Sequence, residues 1–263
     1  MRAAIAMETR KLASTRLWWV LLLVMAGYMV FLAVLMAFTS VRCAQAPIGD
    51  AESTALGVYT LATALGYVFP AIVGTLSVTS EVRHRTLAQT LLADPSRGRL
   101  VAAKMIGAVP VGLALGVVGS LACLGAGAAT FAVLDVDPLL GSPAVWRAVG
   151  LSVVALTLWT MVGVGLGTVL TNQVAALVVI LAFTQFVEPI LRGALSLVLD
   201  GRLAGVASYL PGAAGEAMTG ASVYAAFGMA ELLTWWQGAL VLAGYAIVLA
   251  LVGRLRTLRR DLT

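Results

Sequence analysis

The chain has 263 residues, of which 61% are apolar and only 11% charged, with a formal net charge of +5. A mean hydropathy of +1.00 excludes a soluble domain, which needs roughly a quarter of its residues charged to cover its surface. Two cysteines, Cys43 and Cys123, are too few for a disulfide framework or a metal cluster.

A helix needs about 20 apolar residues to cross a bilayer. After a basic N-terminus, the run 17–38 meets this requirement. It exceeds the apolar stretch of a signal peptide, about 7 to 15 residues, and Pro47 directly follows the cleavage-like Ala44-Gln45-Ala46. The expectation is a retained signal-anchor helix. The second run, 56–79, reads as one crossing bent at Pro70. A charged loop, 81–104, separates it from the runs 105–134 and 146–170, which also satisfy the length requirement. Gly112 with Gly116, and Gly163 with Gly167, have the four-residue spacing that lets helix backbones approach closely in lipid. The run 174–187 is short before Glu188-Pro189, and becomes adequate if 171–173 and the turn beyond Pro189 extend it. Beyond it, 190–199 and 203–210 are too short to cross. They are expected to dip into the outer leaflet and return, ending at Pro211-Gly212. The run 235–252 is the last crossing.

Loop charges set orientation, because lysine and arginine are retained on the cytoplasmic side. Arg2, Arg10, Lys11 and Arg16 precede the first span. Arg83, Arg85, Arg97, Arg99 and Lys104 lie in the charged loop, and Arg254, Arg256, Arg259 and Arg260 follow the last span. Only Arg42, Arg147, Arg192 and Arg202 remain, whereas Asp50, Glu52, Asp135, Asp137, Glu188, Asp200, Glu216 and Glu231 fall on the other side. Both termini and the loop are therefore expected in the cytoplasm, which requires an even number of crossings. The fold class expected is an all-α integral membrane protein with six transmembrane helices and an outward re-entrant hairpin between spans 5 and 6.

Absent motifs exclude other chemistry. Lys11 and Lys104, the only lysines, follow Arg10 and Ala103, so no phosphate-binding loop is present. A serine elbow and a zinc-protease motif are also missing, and the single His84 sits in the charged loop. The chain is not expected to be an enzyme by itself or to bind a metal. The predicted span centres carry no ionisable residue, which argues against a proton-coupled carrier. Intramembrane polarity is confined to hydroxyls and amides. Thr60, Thr63 and Tyr67, at i, i+3 and i+7, share one helical face, and Thr184 and Gln185 lie in the fifth span, with Glu188 expected near the outer exit of any path they line. Two readings remain open for them: lining a substrate path, or hydrogen bonding between helices.

In the loop, 83–93 contains no helix breaker, and a 100° step places Leu87, Leu91 and Leu92 on one face, with Arg83 and Arg85 close by and Glu81 just before them. Asp94-Pro95-Ser96 then reads as a turn. Such a helix either lies on anionic headgroups or docks a cytoplasmic protein.

These residues resemble the type-2 permeases of ATP-binding-cassette transporters. The resemblance begins with Glu8-Thr9-Arg10-Lys11 before Trp18-Trp19. It continues through Glu81, Thr86, Leu91-Leu92, Pro95 and Lys104, then Tyr209-Leu210-Pro211-Gly212, Trp235-Trp236-Gln237-Gly238 and Arg259-Arg260-Asp261. The chain departs from the pattern at Arg85, where such permeases often have glycine, so the loop helix is expected to continue more directly from the second span. The resemblance implies one transmembrane domain over 1–263. Residues 1–16 form an amphipathic elbow helix whose Ile5 and Leu12 face lipid, 81–104 the cytoplasmic coupling loop, 188–234 the extracytoplasmic segment and 253–263 a tail. It implies residence in the inner (cytoplasmic) membrane, pairing with a second permease as homodimer or heterodimer, and two copies of a separate ATP-binding subunit. Glu81, Arg83, Arg85, Leu87, Leu91 and Leu92 would meet that subunit, which uses ATP and Mg. This chain would bind neither cofactor nor nucleic acid. The implied activity is outward transport of a hydrophobic or amphipathic compound such as a drug, antibiotic or lipid. An ion-coupled secondary transporter and a non-transport membrane scaffold are the competing classes.

Overall fold

The computed structural model describes residues 2–42, 50–84, 86, 96–197, 204–222 and 232–257, and the described residues are helical with turns and no strand. The helices are α1 (Arg2–Ser14), α2 (Arg16–Arg42), α3 (Ala51–Tyr59), α4 (Leu61–Ala64), α5 (Val68–Arg83), α6 (Arg97–Val133) and α7 (Pro143–Val169). There follow α8 (Gln173–Ala182), a π-helical turn (Phe183–Val187), α9 (Glu188–Leu197), α10 (Ala204–Ala207), α11 (Pro211–Thr219), α12 (Trp235–Val252) and a second π-helical turn (Gly253–Thr257). Five are long and apolar enough to cross a membrane: α2, α6, α7, the α8–α9 run and α12.

Local chemistry fixes many of the helix starts. Ser142 accepts from the Ala144 amide ahead of Pro143, and Asn172 accepts from the amides of Val174 and Ala175. These side chains satisfy donors that a first turn leaves unpaired. Thr234 and Gln237 form a reciprocal capping box at α12, giving the glutamine of Trp235-Trp236-Gln237-Gly238 a structural role.

The second apolar run differs from expectation. It is not one bent helix but three, α3, α4 and α5, interrupted at Thr60 and across 65–67. Pro70 has no amide hydrogen with which to reach the Gly66 carbonyl, which accepts from Phe69 instead. The proline thus sits in the first turn of a new helix, where it is tolerated. Thr60, Thr63 and Tyr67 consequently do not share one uninterrupted helical face. By contrast, the run that looked short continues through Pro189, and the wider π turn immediately before that proline relieves the clash with the preceding carbonyls. Pro211-Gly212, expected as the end of an outer dip, begins α11, whose residues are all buried against α4, α7 and α12.

Helix α7 is the centre of the bundle, with α5, α6, α11 and α12 packed around it, while α2 lies at the periphery. The small-residue pairs make the close approaches expected of them. A Cβ on Gly112 would meet the Thr160 hydroxyl at 2.7 Å, one on Gly116 the Val153 carbonyl at 2.9 Å, and one on Gly163 would run into the Ala71 carbonyl. Thr75 stitches the α5–α7 crossing by donating to the carbonyls of Ala71 and Gly163.

The basic N-terminal helix, Arg83, the starts of α6 and α8 and the final π turn gather at one end of the bundle. Lys104 reaches Glu8 and Glu81 there, Arg83 reaches Gln173, and Gly98 lies beside Arg254. At the other end Tyr59 donates to the Pro138 carbonyl, and Tyr67 to that of Thr184.

Candidate functional site

Two ionic clusters stand at opposite ends of α5. Fourteen residues separate Tyr67 from Glu81, about 21 Å along a helix rising 1.5 Å per residue.

At the end carrying α1, two carboxylates and two ammonium groups alternate. Lys104 Nζ lies 2.8 Å from Glu8 Oε2 and 2.8 Å from Glu81 Oε2, and it also donates to the Ser77 carbonyl at 3.3 Å. Lys11 Nζ lies 3.1 Å from Glu8 Oε1 and 3.0 Å from Glu81 Oε1. Lys104 and Glu8 are almost fully buried, with side-chain exposures of 2% and 4%, whereas Lys11 is partly open at 39%. Burial alone would lower the Lys11 pKa, but hydrogen bonds and charge from Glu81 and Glu8 outweigh it and raise the value above that of a free lysine. The ammonium is therefore charged throughout the physiological range.

The quartet ties α1 to α5 and α6, the helices on either side of the charged loop. Glu81, expected at the rim of a docking surface, points inward to these lysines. Arg83 donates to the Gln173 side chain at 3.2 Å, bracing α5 against the start of α8. Helix α5 ends at Arg83 with His84 as its cap, and the Thr86 amide folds back onto the Glu81 carbonyl. The expected continuation of the helix through Arg85 falls on residues outside the described ones. Arg85, Leu87, Leu91 and Leu92 lie outside the described residues. On α1, Leu12 packs against the bundle core rather than facing lipid, because Glu8 turns that side of the helix toward Lys104.

At the opposite end, a cavity of about 390 Å³ opens between α2, α4, the π turn and α9. Leu32, Leu35, Met36, Leu61 and Leu65 form its apolar wall; Tyr67, Thr184, Gln185, Glu188, Arg192 and Glu216 form the polar one. Tyr67 stacks on Trp159 with ring centroids 4.4 Å apart and donates to the Thr184 carbonyl at 3.2 Å, which fixes its ring. The Thr184 hydroxyl turns back to Ile180. Of the expected path residues, Tyr67, Thr184, Gln185 and Glu188 line this cavity. Thr60 does not, because its hydroxyl caps the Leu56 carbonyl at 2.7 Å. Thr63 is buried outside the lining beside Gly215.

Arg192 and Glu216 were missing from the sequence reading, which counted both as charges outside the membrane. Arg192 lies 2.7 Å from Glu188 Oε1 and 2.8 Å from Glu216 Oε1, and all three side chains are about 95% buried or more. Glu188 Oε1 also accepts from the Gly212 and Ala213 amides at 2.7 and 3.1 Å, so the carboxylate sits on the N-terminus of α11. The i, i+4 spacing of Glu188 and Arg192 was a usable signal for their pairing. Nothing local marked Glu216 as their partner. No group of three or more His, Cys, Asp or Glu suited to a metal occurs among the described residues.

A family model described as "ABC-2 family transporter protein" matches residues 4–191, a stretch that includes the whole quartet and most of the cavity. The chain belongs to the ABC-2 transporter family. No curated protein matches the sequence. As an ABC-2 permease it is a multi-pass membrane subunit rather than an enzyme by itself, and membership implies partnership with an ATP-binding subunit. For an ABC-2 permease the two clusters have distinct chemical capacities. The quartet is electrically balanced and joins α1 to α5 and α6. The cavity has an apolar wall opposite a charged one.

Proposed function

We propose that the chain is the membrane-spanning permease of an ATP-driven exporter, moving a hydrophobic or amphipathic compound (a drug, an antibiotic or a lipid) outward. Two permeases, identical or not, pair and receive two ATPase subunits, each engaging the loop between α5 and α6. The broken segment α3–α5 is the sixth crossing, and both termini face the cytoplasm of the inner membrane. The observation that carries this reading is the family match over 4–191. The quartet supports it, because it clamps both ends of the loop to α1. Force applied to the loop is then delivered to α5, whose far end carries Tyr67 at the cavity.

In this reading Leu87, Leu91 and Leu92 enter an apolar groove on the ATPase, contributing about 1.5–3 kcal/mol each if fully buried. Replacing Leu87 and Leu91 with serine is expected to release the ATPase in copurification, or abolish substrate-stimulated ATP hydrolysis, while the permease still inserts. A double variant that kept the bound ATPase and normal stimulated hydrolysis would show that the loop helix rests on lipid headgroups.

Sidedness is checked separately by labelling single cysteines in intact cells. Asp50→Cys and Ser222→Cys are expected to react with an impermeant maleimide, and Gly98→Cys only after permeabilisation. Reaction of Ser222→Cys solely in permeabilised cells would overturn the six-crossing arrangement.

A further inference from the structure

We propose that the cavity beside Glu188, Arg192 and Glu216 binds a monovalent organic cation with a compact apolar body, an ammonium held by the two carboxylates. This inference rests on the transport reading and narrows it to a substrate class.

The charge balance comes first. Among the described residues lining the cavity, the ionisable side chains are two carboxylates and one guanidinium. The N-terminus of α11 adds roughly half a positive charge, which leaves the ensemble negative. Arg192 is already engaged by both glutamates, so an anionic ligand would meet carboxylates without a cation committed to it. A deficit of about half a positive charge, buried in a lipid-embedded protein, is costly unless a cation offsets it.

Hydrogen bonding gives a second, independent indication. Glu188 Oε1 is crowded by Arg192 and two backbone amides, yet its Oε2 is buried without a hydrogen-bond partner among the described residues, beside a Glu216 carboxyl held by Arg192 and the Ser222 side chain. Buried carboxylate oxygens are normally satisfied. An ammonium brings up to three N–H donors, enough to reach the orphaned Glu188 oxygen, a lone pair of the Glu216 carboxylate and the amide oxygen of Gln185. A neutral alcohol brings one donor and no charge. The leucine and methionine wall across the cavity, from Leu32, Leu35, Met36 and Leu61, accepts the hydrocarbon end. One carboxyl holding a proton is the competing way to restore balance, and it would leave no demand for a cation.

The test uses the purified full-length permease in lipid nanodiscs, with 1-adamantylammonium as radiolabelled probe. Adamantan-1-ol and adamantane-1-carboxylate, of nearly the same shape, serve as competitors. Expected is saturable binding of the amine, with the alcohol and the carboxylate competing at least tenfold more weakly than unlabelled amine. Glu216→Gln is expected to weaken amine binding at least tenfold while the unfolding temperature stays within a few degrees. Equal competition by the alcohol, absence of saturable amine binding, or unchanged binding in E216Q would overturn the proposal. The competition order in the unmodified protein decides the matter by itself if E216Q fails to fold. Copurification of the ATPase, measured on the same preparation, keeps the two readings apart: a permease that retains its ATPase but ignores the amine leaves the transport function standing and removes only the cation.

Discussion

Replacing Lys104 with methionine is expected to destabilise the permease by about 3–5 kcal/mol, the usual cost of breaking a buried ion pair. Two almost buried carboxylates, Glu8 and Glu81, depend on this ammonium at 2.8 Å each. Lys11 remains to balance one of them, but its exposed position and single amine leave the other charge unpaired in a nearly dry site. The penalty comes from the stranded charge rather than from the lost attraction, so adding Glu8→Gln to Lys104→Met should recover part of it. Thermal unfolding of the three proteins in the same lipid measures this. An Arg83→Ala control removes only the exposed bond to Gln173 and is expected to change stability by less than about 1 kcal/mol. If Lys104→Met unfolds no earlier than this control, the quartet is not a structural junction.

Alanine at Gly163 is expected to destabilise the protein by about 1–3 kcal/mol, despite alanine's helix propensity being about 1 kcal/mol better than glycine's. Its methyl group would collide with the Ala71 carbonyl, the same carbonyl that accepts the Thr75 hydroxyl. Backbone cannot rotate away as a flexible side chain can, so α5 and α7 must separate and loosen the bond from Thr75 to Gly163. Gly150, on the same helix, is the matched comparison. Nothing lies within 4 Å of the position its Cβ would take, so Gly150→Ala is expected to be neutral or to stabilise by up to about 1 kcal/mol. Opposite signs for two glycine-to-alanine changes on α7 separate close packing from propensity. A stabilised Gly163→Ala would mean that the helices do not meet as closely as 163 and 71 indicate.

A helical membrane protein with permease-like organisation was legible from composition and run length, because these act locally: about twenty apolar residues need lipid whatever surrounds them. The sequence also indicated which glycines make helix contacts, since spacing along a helix is local too. Tyr67, Thr184, Gln185 and Glu188 were legible as polar groups within apolar runs. What tertiary structure decided was the fate of the charges. Lys104 and Glu8 lie 96 positions apart, and Glu216 meets Arg192 across 24. A hydropathy average scores each such residue as a reason to stay in water, and it cannot see a partner that cancels the cost. The same averaging hid the breaks at Thr60 and 65–67, because a broken helix is as apolar as an intact one. Whether its free backbone groups are satisfied depends on neighbouring helices that only the folded bundle brings into place.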